Sequence, residues 1–193
     1  MRFLDLATVA LTLPMALGAQ QRQAAAPQPA NGVAQTFKSF GRPYGGWLLM
    51  AFDSIPANKY DFRPTPVQQS VGYIAQHLED ANYQLCSLFG EVKHTMTAKD
   101  SLADTIKAKW PKDTLISRVR ASLVFCSNAI AKLDDASLGD ELTVDPSGKQ
   151  QKALRVRYLL LLVTDLAEHY SQVSNYMRLL GLVPPSALPP PQR

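Results

Sequence analysis

Asp165 and His169 lie one helical step apart, so on a helix their side chains project together. His169 follows Leu166 by three residues and precedes Val173 by four, which sets it on the flank of an apolar stripe. His77 stands in the same relation to Ile74 and Ala81 on a separate segment. An acid in such a row needs a partner, because a buried unpaired carboxylate is strongly disfavoured. A divalent metal held by the two imidazoles and the carboxylate would satisfy all three groups. It would also keep coordination positions open for water or substrate. The plainer reading stays open beside it. Each histidine could be hydrogen-bonded at the core edge, with Asp165 facing solvent or paired with Arg155, Arg157 or another cation.

The remaining reactive residues have ordinary explanations. Glu168 is rotated about 100° from His169 and reads as polar-face, so no general base is evident beyond the candidate ligands. His94 follows Gly90 in a polar connection and reads as solvated. Cys86 comes nine residues after His77, about half a turn around the helix, and points away from the candidate site. Cys86 and Cys126 are compatible with an inter-helix disulfide and equally with two buried thiols. Neither has a histidine at helical spacing to make it a nucleophile. Tyr73 and Gln172 could line a pocket by helix phase, Tyr170, Tyr176 and Met177 read as packing, and Arg178 suits a helix C-terminus.

The elements that must position these residues are helices. One segment opens at Thr65-Pro66, a cap followed by a proline tolerated at the first helical position, and carries Val67, Val71, Ile74, Leu78, Ala81, Leu85 and Leu88 before Gly90. The last carries Leu159, Val163, Leu166, Tyr170, Val173, Met177 and Leu180, then Gly181 and Pro184-Pro185 as stop signals. A third runs from about Asp113 to Leu133 through Leu115, Val119, Ser122, Cys126 and Ile130. The first has Phe37, Phe40, Tyr44, Trp47 and Ala51 at helical spacing, but Gly41, Pro43, Gly45 and Gly46 predict a kink or a start near Pro43. No segment alternates like a strand. The fold class is therefore all-α, a four-helix bundle with long connections. Leu102, Ile106 and Trp110 predict a short extra helix between Glu91 and Lys112, while Asp134 to Gln150, with Gly139, Pro146 and Gly148, reads as a mobile loop.

Composition bounds the function. The chain has 193 residues, 46% hydrophobic and 19% charged, enough for a core. Its net charge of +4 is not gathered in basic blocks, so no nucleic-acid partner is expected. Two cysteines and three histidines exclude a disulfide-dense scaffold and a zinc-finger array. Glycine-rich nucleotide motifs and a Gly-x-Ser-x-Gly elbow are missing from the sequence. Met1-Arg2-Phe3, the apolar Leu6 to Ala19 and the small residues Gly18 and Ala19 predict a signal peptide over 1–19, hence export to a periplasm or the exterior. Residues 20–33 read as a disordered Gln/Ala/Pro linker, 34–185 as the folded domain and 186–193 as a disordered proline-rich tail. No transmembrane helix is expected in the mature form.

The run His169-Tyr170-Ser171-Gln172, then Asn175-Tyr176-Met177-Arg178-Leu179-Leu180-Gly181 and Pro184-Pro185, resembles the end of the DinB-like superfamily of metal-binding four-helix bundles. Asp61-Phe62-Arg63-Pro64-Thr65-Pro66, Gln76-His77-Leu78 and Asp80-Ala81-Asn82-Tyr83 resemble that family's entry to its second helix. The likeness covers about Phe37 to Pro185. It implies that His77 and His169 are metal ligands. It also implies that Asp165 stands where the family usually has a further histidine, a departure that favours harder ions such as manganese over nickel or zinc, or marks a degenerate site. The resemblance implies a small-molecule substrate, thiol-dependent transferase or related isomerase chemistry, and a homodimer; the expected export counts against a thiol transferase and makes a metal-dependent hydrolase the simpler reading. The alternative is a non-catalytic metal- or ligand-binding bundle.

Overall fold

The computed structural model describes residues 32–144 and 150–189. The expected signal peptide, linker residues 20–31, the centre of the 134–150 loop (145–149) and tail residues 190–193 lie outside the described residues.

Helix α1 runs from Gly32 to Ser54. It runs through Pro43 rather than starting there, and Gly32 and Val33, placed in the linker by the sequence, form its first turn. Its fully buried Leu48, Ala51 and Phe52 anchor it to the core. Its N-terminus is capped from a distance, because the Asp135 carboxylate accepts from the amides of Val33 (3.2 Å) and Ala34 (2.7 Å). Tertiary packing and a long-range cap thus outweigh three glycines and Pro43.

Helix α2, Val71–Gly90, starts five residues later than Thr65-Pro66 predicts. Ser70 is its cap, with Oγ accepting from the Tyr73 amide at 3.2 Å. Thr65 opens a turn closed by the Gln68 amide, and Val67 stands 94% exposed instead of joining the stripe. Glu91, in the left-handed region at φ 48°, ends the helix. The expected short helix is α3, Asp104–Lys107, and the third long helix is α4, Lys112–Ala131. The 134–150 segment contains a hairpin strand that the sequence reading missed. Strand β1, Glu141–Val144, pairs antiparallel with β2, Gln151–Leu154, placing Glu141 opposite Leu154 and Val144 opposite Gln151. Four-residue, mostly exposed strands carry too little alternation to be read.

Helix α5, Arg155–Leu179, follows β2 directly. Gly181 at φ 77° lets the Leu182 amide reach back to the Met177 carbonyl at 2.8 Å. Past Pro184 the chain makes one 3-10 turn, Pro185–Ala187, where the sequence predicts no regular structure. The Tyr170 hydroxyl accepts from the Ser186 amide (2.8 Å) and ties that turn to α5.

The bundle is asymmetric. Helix α2 packs broadly on α4 and α5, α1 packs on α5, and α1 meets α4 more loosely. Ile74, Leu78, Leu115, Leu159, Tyr176 and Met177 fill the centre. Of the two cysteine readings the structure takes the disulfide, Cys86–Cys126, joining α2 to α4 with Cα atoms 5.2 Å apart. No helix among the described residues is long and apolar enough to cross a membrane.

Candidate metal centre

The α2–α5 contact brings His77, Asp165 and His169 together. His77 Nε2 lies 3.6 Å and His169 Nε2 3.5 Å from the same oxygen, Asp165 Oδ1. One ligand atom from each residue falls within 4.8 Å of the other two. The imidazoles meet edge to face with centroids 4.9 Å apart. Bonds of about 2.0–2.1 Å in a tetrahedral site separate neighbouring ligand atoms by roughly 3.4 Å, close to these two edges.

The tautomer of His169 follows from a chain of hydrogen bonds. The Gln69 carbonyl can only accept, so the Tyr176 hydroxyl donates to it (3.0 Å). The same hydroxyl accepts from Gln172 Nε2 (2.9 Å), which turns Gln172 Oε1 toward His169 Nδ1 (3.1 Å). Nδ1 therefore carries a proton, and Nε2 is the nitrogen turned toward Asp165 and the cluster. The sequence marks Gln172 only as a pocket-lining candidate by helix phase. Its link to Gln69 crosses 107 residues and needed the fold.

Asp165 supplies the charge. Burial pushes its carboxyl up, but hydrogen bonding and charge from His169 and His77 outweigh this and hold it at about 2. Its second oxygen, Oδ2, is buried and has no hydrogen-bond partner among the described residues. His77 is raised above its ordinary value, chiefly by the Asp165 carboxylate, against burial and with help from Asp80 and Asp104. Two imidazole nitrogens aimed at a carboxylate whose other oxygen is orphaned are a donor set that fits a divalent cation. The three side chains differ in access. His169 is 8% exposed, Asp165 23% and His77 36%, so the cluster opens on the α2 side.

The remaining candidates fall elsewhere. Arg155, one partner considered for Asp165, is buried and binds Glu91 (2.9 Å) and Asp140 (3.2 Å) instead. His94 is not solvated as expected. Its ring stacks on Tyr83 at 3.5 Å, with Asp100 4.0 Å away. Glu168 is exposed, Tyr73 reaches Asp104 at 3.4 Å, and Arg178 occupies the last turn of α5.

No family model matches the sequence, and no curated protein matches it. Solved structures do. A DinB-like protein from Bacillus cereus superposes with a TM-score of 0.60 at 16% identity, over 78% of this chain and 95% of that one. A DinB-like protein from Bacillus subtilis gives 0.59 at 14% identity, over 82% and 99%. A mycothiol-dependent maleylpyruvate isomerase gives 0.56 at 8% identity, over 72% of this chain and 59% of that one. At such identities the likeness carries architecture alone: this chain has the DinB-like fold.

Proposed function

We propose that the chain is an exported metal-dependent hydrolase whose divalent ion is held by His77, Asp165 and His169. The observation that carries this reading is the convergence of both Nε2 atoms on Asp165 Oδ1 beside the orphaned Oδ2. Bound there, the ion would supply Lewis-acid polarisation and lower the pKa of a coordinated water. The chain's own contribution is orientation. Gln172 and Tyr176 fix His169 in its ligating tautomer, and Asp165 brings the negative charge that offsets the cation. His77 leaves the open side through which substrate enters.

The Cys86–Cys126 disulfide supports export, because such bonds persist in oxidising compartments. That favours hydrolysis over the thiol-dependent chemistry named for the isomerase of similar fold. The non-catalytic alternative differs in what the cluster is for, not in where it is.

Elemental mass spectrometry of the chain purified without chelator tests the reading, beside a His77→Ala/His169→Ala double variant. Near-stoichiometric zinc, nickel or manganese in the parent and its loss in the variant is expected. A panel of ester, amide and phosphoester substrates then separates enzyme from binding module. No metal in either protein after reconstitution with all three ions would sink the metal reading.

A further inference from the structure

The loose α1–α4 seam holds a groove of about 710 Å³ that shares no residue with the His77–Asp165–His169 cluster. Three glycines of α1 line it and provide no side chains to fill it. A Cβ on Gly45 would come within 3.0 Å of Leu123 Cδ2, whereas one on Gly46 would meet nothing within 4 Å. The walls are apolar, with Phe37 and Leu49 from α1, Leu123 and Ile130 from α4, and Val163 and Leu166 from α5. The helices run past each other in opposite senses, since Lys38 meets Leu133, Gly45 meets Leu123 and Lys112 meets Asp53. The lining spans Phe37 to Leu49 on α1, twelve residue steps, and Arg120 to Ala131 on α4, eleven. At a helical rise of 1.5 Å per residue the groove is about 16–18 Å long.

Its charge has one sign. Lys38 and Arg120 line it, and no acid does among the described residues. Lys38 Nζ already donates to the Leu133 carbonyl at 3.0 Å, at the end of α4. Arg120 is exposed and has no ion-pair partner among the described residues. A long apolar trough ending at an unpaired guanidinium suits a ligand with an extended hydrocarbon body and a planar anionic head. We propose that this groove binds a long-chain carboxylate, with the carboxylate on Arg120 and the chain laid along the glycine face of α1 toward Phe37 and Ile130.

Isothermal titration of the full chain with laurate, kept below its micelle-forming concentration, tests this. Dodecyltrimethylammonium serves as the oppositely charged comparator. Arg120→Glu reverses the headgroup contact at an exposed position. Gly46→Leu puts a side chain into open groove space while replacing a poor helix former by a good one. Circular dichroism checks that both variants keep the parent's helicity. Expected are saturable one-to-one binding of laurate, at least tenfold weakening in each variant and no saturable binding of the cationic amphiphile. The His77→Ala/His169→Ala variant should bind laurate as the parent does. Absence of saturable laurate binding, or equal binding of both amphiphiles, overturns the proposal. So does weakening by only one of the two variants, because a site lacking either the headgroup or the trough is not this site.

Discussion

Helix α2 carries two acid–base clusters, one on each side. His77 faces α5, and Glu79, two residues on and about 200° around the helix, faces α4. On the Glu79 side every charge is answered. Arg118 holds Glu79 with both arms of its guanidinium, at 2.7 and 2.6 Å, pairs also with Asp100, and lays its face over Trp110 at 4.7 Å. The Thr97 amide completes Asp100. Burial pushes Glu79 up, with Arg118 working against it, while the Thr97 and Arg118 contacts overcome burial to hold Asp100 at about 2. On the His77 side both imidazoles converge on one carboxylate oxygen, and the other has no hydrogen-bond partner among the described residues. The difference separates a strut from a socket. On the reading proposed above, a donor-saturated acid holds elements together, and a carboxylate with an orphaned oxygen beside two imidazoles has room for a cation.

The largest effect expected from breaking this contrast is on the strut. Arg118→Ala leaves Glu79, 2% exposed, charged and unpaired, and should cost about 3 kcal/mol in urea unfolding. His77→Ala in the metal-free chain should cost about 1 kcal/mol or less, since its half-exposed ring gains little from Asp165. Equal losses would erase the distinction between the clusters.

Metal reverses the ranking. A divalent ion at about 100 times its dissociation constant should stabilise the parent by roughly 2.7 kcal/mol. The gain should vanish with chelator and in His169→Ala, yet persist in Arg118→Ala. Thermal melts with and without zinc or manganese read this directly. A gain that survives in His169→Ala would place the ion elsewhere.

The socket was largely legible in the sequence and the strut was not. His77, Asp165 and His169 each sit on a helix with a regular 4,3 stripe, so their phase could be read, and α2 and α5 did pack on one another. Arg118, by contrast, reaches Glu79 across 39 residues and Asp100 in an irregular connection, where no period fixes direction. Local signals also misled where distant groups override them. Thr65-Pro66 has the chemistry of a helix start, but Ser70 made the bond. Pro43 and its neighbouring glycines have the chemistry of a break, but Asp135 capped the helix well upstream. Of the Gln172–Tyr176 relay only the helix phase of Gln172 was visible, with Tyr176 read as packing. Its anchor, the Gln69 carbonyl, belongs to the turn before α2.

That relay offers a sharper probe than the ligands themselves. Gln172 is a positioning residue whose removal frees His169 to take the other tautomer. Gln172→Ala should weaken metal binding by about 10- to 100-fold while leaving metal-free stability nearly unchanged. Tyr176→Phe, which keeps the packing and removes the hydroxyl, should act in the same direction and less. Competition against a chromogenic chelator measures both. Equal affinity in parent and Gln172→Ala would mean that the hydrogen-bond chain does not select the tautomer.

The smallest effect is the one whose sign best separates the clusters. Asp165 and Asp100 are both depressed from 3.8 to about 2, so each contributes stability above its unfolded value that is lost as pH falls toward 2. Acid therefore weakens socket and strut together. His77 is raised, so its contribution is complete below about 6.5 and disappears as pH climbs through its folded value. Between pH 6 and 8 the metal-free parent should lose a small increment of melting temperature that His77→Ala does not lose and Arg118→Ala does. Metal must displace the proton on His77, so the stabilisation by zinc should grow over the same interval. One residue thus gives two slopes of opposite sign, negative without the ion and positive with it. If His77→Ala showed both slopes unchanged, the imidazole would be neither the carboxylate's partner nor the ion's.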